Sequence, residues 1–375
     1  MIFRAINVEL TYDEAYTFLN YVYTDNVFNI GIANNHILNS FLIAITTKLG
    51  YSELFIRLPN LISGALFILF VYKFLKSNNY KIVGYVLLLS NPYILDFFSI
   101  ARGYGIGAFL IFLSSYIFLK SEGKEIFIPI ILLSIASISY HVIVMMLINF
   151  WIINIKKFFK NLEIVKSIFI NIFVIAVIAT NTCILFNITN VGKPLYGIYN
   201  LTLIGLMFSG FGFTSIYLNE NIFFIILINF LFILPIFKFK KLKSYYRTFF
   251  YISYLTIFSI YAIPFIFGRP LPLLRTIFPF FIPIILLIFE AISIHFASLN
   301  KLTVFIISTI LISTLSINLI SQIELYETID WKDDPSKKNI LQKEIFSKEF
   351  KIPISELGPV GEYYRLLYEI ESTRN

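Results

Sequence analysis

TYDEAYTFLNYVYTDNVFNIGIANNHILNSFLIAITTKLGYSELFIRLP, residues 11–59, mixes acids, amides, a histidine and an arginine with apolar residues. Nearly everything between it and Gln322 is hydrocarbon. Asp13 and Glu14 are adjacent, Asn34-Asn35-His36 follow, and Arg57-Leu58-Pro59 closes the stretch. Such a sequence reads as a polar assembly at the edge of a membrane. The rest of the chain reads as the device that holds it there.

Composition supports that division. Of 375 residues, 58% are hydrophobic and 14% charged, against about 25% charged in a soluble domain. Mean hydropathy is +0.80. The 42 Phe and 24 Tyr suit lipid-facing surfaces and interfacial belts. A net charge of +8 does not point to nucleic acid, because the lysines cluster between apolar runs as in a positive-inside pattern. The single cysteine, Cys183, excludes an intramolecular disulfide and is expected as a small buried hydrophobe.

Apolar spans are expected over 61–75, 82–99, 104–119, 126–155, 164–188, 200–218, 221–237, 248–267, 276–296 and 302–320. A crossing takes about 20 residues, so 126–155 is read as two short crossings joined near Ser139-Tyr140-His141. The Gly-rich 200–218 segment fits either a span or a re-entrant loop. The fold expected is an all-α membrane protein, a multi-spanning helical bundle with amphipathic loop helices at its outer face. Its parts are an acidic-motif loop, 1–60, a membrane domain, 61–320, and a polar tail, 321–375, expected to pack on the outer loops.

Lysines set the orientation. Lys73, Lys76 and Lys81 share one connection, followed by Lys120 and Lys124, then Lys156, Lys157, Lys160 and Lys166. Lys238, Lys240, Lys241, Lys243 and Arg247 come next, then Lys301, and this face is expected to be cytoplasmic. The opposite face collects Asp13, Glu14, His36, Arg57, Asp96, Arg102, His141, Arg269 and Arg275. No span precedes the acidic stretch, so either this long tail crosses unaided or a first helix stands upstream of Met1, the latter being the simpler expectation.

The segments DEAYT (13–17), NNHILNSFL (34–42), GYSELFIRLPNLISG (50–64), NPYILDFFSIARGYGIGAF (91–109), ISYHVIVM (138–145) and RTIFPFFIPIILL (275–287) follow one order. That order resembles the GT-C superfamily of polyprenyl-phosphate-sugar glycosyltransferases, in particular protein O-mannosyltransferases and aminoarabinose transferases. The family's usual His-Pro stands here as His36-Ile37. The resemblance implies an inverting transfer at the outer face of a bacterial plasma membrane, from a polyprenyl-phosphate-linked sugar to a glycan, lipid or protein acceptor. Such chemistry takes a base for the acceptor hydroxyl and positive charge on the departing phosphate.

By that resemblance Asp13 is the expected base. Glu14, which points elsewhere on a helix or a strand, is expected to orient a neighbour or assist a divalent cation. Taken alone, the pair also fits a solvated helix start capped by Asp13. Arg102, followed by Gly103-Tyr104-Gly105, is the phosphate candidate, since guanidinium forks onto phosphate and glycine admits close backbone approach. Arg269 and Arg275 flank Pro270-Leu271-Pro272 as a second pair. His36 and His141 are read as phosphate or sugar ligands, and Arg57 as either an anchor or a ligand. No zinc-ligand spacing is present and no organic cofactor is implied.

Two other classes fit the sequence less well. A polysaccharide polymerase or ligase usually carries catalytic arginines in a large outer loop, and 189–220 has none. A lipid-sugar flippase or transporter would place ionisable groups near mid-membrane and often shows internal repeats, neither of which appears. For the orientation, cysteine reporters at Ser321 and Asn190 should react with an impermeant thiol reagent on intact cells. Reporters at Asn79 or Lys241 should react only after permeabilisation; labelling of Lys241→Cys from outside would overturn the orientation.

Overall fold

A computed structural model describes residues 1–8, 10–28, 36–161, 164–190, 197–198, 222–266, 271–272, 274–322 and 358–367. These residues are helical apart from connections and a two-residue antiparallel pair, β1 (Gly197–Ile198) with β2 (Leu271–Pro272). Contacts divide the chain into two compact units. The first comprises Met1–Ala65, Leu95–Ile106 and the C-terminal segment; the second comprises Leu66–Ile94 and Gly107–Gln322.

The first unit opens with α1 (Ile2–Asn7) and α2 (Tyr12–Thr17). Thr11 starts α2 by a capping box: its hydroxyl accepts from the Glu14 N–H at 3.3 Å, and its own N–H donates to Glu14 Oε2 at 2.9 Å. Thr11, not Asp13, is therefore the cap. A π-helical turn, Phe18–Tyr23, continues α2 and buries Phe18, Tyr21 and Val22. Next come α3 (Ile37–Thr46), the start of α4 (Glu53–Leu75) and most of α6 (Pro92–Ser99). Leu10, Ala15, Phe18, Val22, Ile43, Ile56 and Ala101 form the core, completed by Val360, Tyr363 and Tyr364 from the helix over 358–367. That helix packs on the acidic-motif segment as expected of the tail. The mixed-charge stretch at 336–349 lies outside the described residues.

The second unit is a bundle of α5 (Lys81–Leu89), α8 (Phe127–Ser139), α9 (Val144–Asn161), α10 (Ile164–Asn190), α11 (Ile222–Phe237), α12 (Ser244–Ile266), α13 (Leu274–Phe296) and α14 (Lys301–Gln322), with most of α7 (Gly103–Lys120). At its centre α13 packs on α5, α11 and α12. Large apolar side chains also point outward: Phe169 is 75% exposed, Phe305 68% and Ile320 71%. A water-soluble domain rarely leaves such surface uncovered, whereas lipid covers it at no cost. Among the described residues five helices are long and apolar enough to cross a bilayer, or six with the bent α5–α6 pair.

Several expectations change. The span expected at 61–75 begins at Glu53, because its early polar residues are satisfied inside the first unit. The 82–99 span is two helices bent by 58° at Ser90-Asn91, where Asn91 Oδ1 accepts the Tyr93 N–H at 3.0 Å. The 126–155 run breaks at Tyr140–Ile143, where expected. Cys183 is exposed on α10, not buried. The 200–218 segment lies outside the described residues.

Lysine-bearing connections gather within the second unit. Lys157 Nζ donates to the Gly123 carbonyl at 3.2 Å, and Tyr246 lines one cavity together with Lys73, Lys76 and Lys120. Close backbone approach is needed at Gly105, where a Cβ would sit 2.2 Å from the Phe97 carbonyl oxygen and 2.8 Å from Asn60 Oδ1. At Gly105 this closeness serves helix packing. Gly105→Ala should destabilise by about 1–3 kcal/mol, as overpacking against backbone does. Gly107→Ala meets the end of the Ile143 side chain, Cδ1, at 2.8 Å and Tyr140 Cβ at 3.8 Å, with no backbone atom in the way, and should unfold closer to the wild-type temperature in detergent than Gly105→Ala. Equal melting of the two variants would contradict this packing.

Candidate functional site

Helical geometry sends adjacent residues about 100° apart, so Asp13 and Glu14 face different partners. Glu14 points inward and is fully buried. Its carboxylate accepts Arg57 Nε on Oε1 and Arg57 Nη2 on Oε2, both at 2.8 Å, and the Ala101 N–H on Oε1 at 2.6 Å. With the Thr11 N–H, four donors meet one carboxylate. Arg57, also fully buried, spends its remaining nitrogen on the carbonyls of Ala5 at 3.1 Å and Val8 at 2.6 Å. Arg57 is therefore a structural anchor and has no fork left for a phosphate, which corrects its reading as a ligand. Glu14 likewise offers no oxygen to substrate or cation; it orients its neighbours.

Around this pair the unit is tied at several more points. Arg4 pairs with Asp96, and its Nε donates to Ser99 Oγ at 3.3 Å. The Tyr364 hydroxyl donates to Glu53 Oε1 at 2.5 Å, and that of Tyr363 to the Tyr51 carbonyl at 2.8 Å. Asn39 Nδ2 donates to the Ala101 carbonyl at 2.9 Å, and Asn60 Nδ2 to Asn39 Oδ1 at 2.8 Å. Ala101 is thus held by its N–H from Glu14 and by its carbonyl from Asn39. The next residue is Arg102.

Arg102 Nη2 lies 3.2 Å from Asp13 Oδ2, and the two side chains are 5% and 11% exposed. The guanidinium sits over the Tyr104 ring, 5.6 Å from its centroid. Tyr104 in turn meets His36 edge-on at 4.9 Å and Phe97 at 5.2 Å. Four expected site residues, Asp13, His36, Arg102 and Tyr104, therefore come together. Burial pushes the Arg102 guanidinium down, but Asp13 first and Tyr104 second outweigh it and hold it above its ordinary value. Thr17 Oγ1 and the Tyr21 hydroxyl are buried in the same unit with no hydrogen-bond partner among the described residues. Burial pushes the Tyr21 phenol up, while the Arg102 charge opposes it.

Of the remaining candidates, one is described in the second unit and the side chains of the other two are not described. His141 belongs to the second unit, in the break between α8 and α9, where its Nδ1–H donates to Asn181 Oδ1 at 2.8 Å. Asn181 Nδ2 donates onward to Ser137 Oγ at 3.2 Å. Arg275 begins α13, where only its backbone is described, and Arg269 lies outside the described residues. Among the described residues no three His, Cys, Asp or Glu side chains gather where they could hold a metal ion. Sequence reasoning missed Arg4, Asn39, Asn60 and Tyr21. The helical spacing of Glu53, Arg57 and Asn60 was a usable sign of a buried polar stripe. Comparison of the chain with models of protein families, with curated proteins and with solved structures gives no match.

Burial by itself raises the Glu14 carboxyl, but Arg57 and the two backbone N–H groups overcome it and hold the carboxyl below its usual range. A lowered folded-state pKa gives stability that is complete above the unfolded value of about 4.3 and is lost as pH falls through the folded value. Melting temperature should therefore fall steeply in acid for the wild type and less steeply for Glu14→Gln, whose neutral amide has nothing to protonate. Thermal unfolding in detergent from neutral pH into acid checks this. Parallel profiles for the two proteins would remove Glu14 as the acid-sensitive group.

Proposed function

We propose that the chain is a membrane glycosyltransferase that moves a sugar from a polyprenyl-phosphate donor to an acceptor hydroxyl, with inversion, at the outer face of the membrane. The observation that carries this reading is the Asp13–Arg102 pair, a carboxylate and a guanidinium 3.2 Å apart and largely buried. It rests on backbone clamped by Glu14 and Asn39. The order of motifs resembling the GT-C superfamily agrees with it.

In the resting protein the two charges neutralise one another. A donor phosphate competes for Arg102, and the bidentate fork suits its oxygens. With Arg102 turned to the phosphate, the ionised Asp13 carboxylate accepts a proton more readily. The acceptor hydroxyl then gives its proton to Asp13 while its oxygen bonds to the anomeric carbon. The bond from that carbon to the phosphate oxygen breaks, and its electron pair leaves on the polyprenyl phosphate. Arg102 meets the charge that grows there, a stabilisation worth most in a site that excludes water. Tyr104 borders the guanidinium and His36 meets Tyr104 edge-on, so the two offer a ring face and an imidazole to the sugar.

Purified protein supplied with a panel of radiolabelled polyprenyl-phosphate sugars tests the reading. Asp13→Asn should lower turnover by about 10²–10⁴-fold while leaving donor binding in place, since a base acts mainly in the transition state. Arg102→Lys keeps the charge but loses the fork, weakening donor use by about 1.5–3 kcal/mol. Near-wild-type turnover in Asp13→Asn would sink the assignment. Normal transfer by Arg102→Ala at low donor concentration would leave the arginine a lipid anchor.

A further inference from the structure

Within the second unit, a cavity of about 600 Å³ opens where α4 and α7 end. Lys73, Lys76 and Lys120 stand around it, and Phe70, Phe74 and Tyr116 line its walls. Two of the lysine heads turn onto those walls: Lys73 Nζ lies 4.8 Å from the Phe70 centroid and Lys120 Nζ 5.5 Å from that of Tyr116. Tyr246 also lines it and hydrogen-bonds Glu290, so the nearby carboxylate is already engaged.

We propose that this cavity binds the phosphate headgroup of an anionic lipid from the leaflet bordering the lysine-rich end of the unit. Three ammonium groups around one hollow make a local positive field that favours phosphate. The volume falls in the range of pockets that hold whole small molecules, about 300–1,000 Å³, and a bare phosphate would leave most of it unfilled. Aromatic walls call for hydrocarbon beside the anion. The same end of α4 exposes Leu69 and Tyr72, 43% and 55% accessible, apolar helix surface that acyl chains would cover. Lysines in the last turn of a helix also complement its carbonyl end, and ordinary snorkelling would carry their heads away into water. Here two heads lie over the cavity's own rings. Nothing in this inference depends on the transferase reading.

The test is native mass spectrometry of the purified full chain with added phosphatidylglycerol or phosphatidylcholine of matched acyl chains. The wild type should retain phosphatidylglycerol at least about tenfold better, and K73Q/K76Q/K120Q should lose at least about tenfold of that retention. K238Q/K240Q/K241Q removes the same charge from a neighbouring connection outside the cavity and should retain the lipid like the wild type. Lys120→Gln alone should show a partial loss, which keeps the test valid if the triple variant misfolds. Equal retention of the two lipids, or equal loss in both triple variants, would overturn the site. Displacement of phosphatidylglycerol by millimolar inorganic phosphate would assign the cavity to a soluble anion and overturn the lipid.

Discussion

Two charges with no access to water, Glu14 and Arg57, hold the first unit together. Taking a carboxylate and a guanidinium out of water is costly, and their attraction offsets that only when geometry and hydrogen bonding are nearly complete. Here they are: the carboxylate accepts from Arg57, Thr11 and Ala101, and the guanidinium reaches two further carbonyls. One ion pair thereby joins α1, the start of α2, the first turns of α4 and the connection ahead of α7. Removing either partner would strand the other charge, a loss of about 3–5 kcal/mol.

The pair also fixes what the neighbouring residues can do. Because Glu14 is committed inward, its neighbour Asp13 faces the other way and meets Arg102. Because Ala101 is clamped through both its N–H and its carbonyl, Arg102 is delivered to that meeting by backbone and not by side-chain searching. A site built on such rigid support needs little reorganisation when charge develops in it. The carboxylate with no spare oxygen supports structure, and its neighbour on the helix meets a different guanidinium.

Much of this was legible in the sequence, and the rest was not for physical reasons. Hydropathy fixed the helical membrane class, and the break near Tyr140 followed from a run too long for one crossing. Thr11-Tyr12-Asp13-Glu14 carries a capping box in its letters, although the acids drew the eye to Asp13 as the cap. That adjacent acids diverge is helix geometry. Which cation each one meets depends on residues far along the chain, Arg57 and Arg102, and no local pattern encodes that pairing. Arg57 reads as either an anchor or a ligand, because a guanidinium at a span start looks the same whether its partner is a phosphate or Glu14. Arg4 drew no reading as a partner because Asp96 reaches it only through the bend at Ser90-Asn91, which interrupts a stretch that hydropathy reads as one span.

The central claim is that Glu14 and Arg57 act as one structural unit while Asp13 and Arg102 act as a separate one. A double-mutant cycle on unfolding free energy in detergent measures this directly, using Glu14→Gln with Arg57→Leu, and Glu14→Gln with Arg102→Leu. The first pair should couple by about 2–3 kcal/mol, near the top of the range for groups in contact, and the second, linked only through the Ala101 backbone and a weaker charge interaction, by clearly less. Additive effects for Glu14 and Arg57, or comparable coupling in both cycles, would contradict the division on which the site depends.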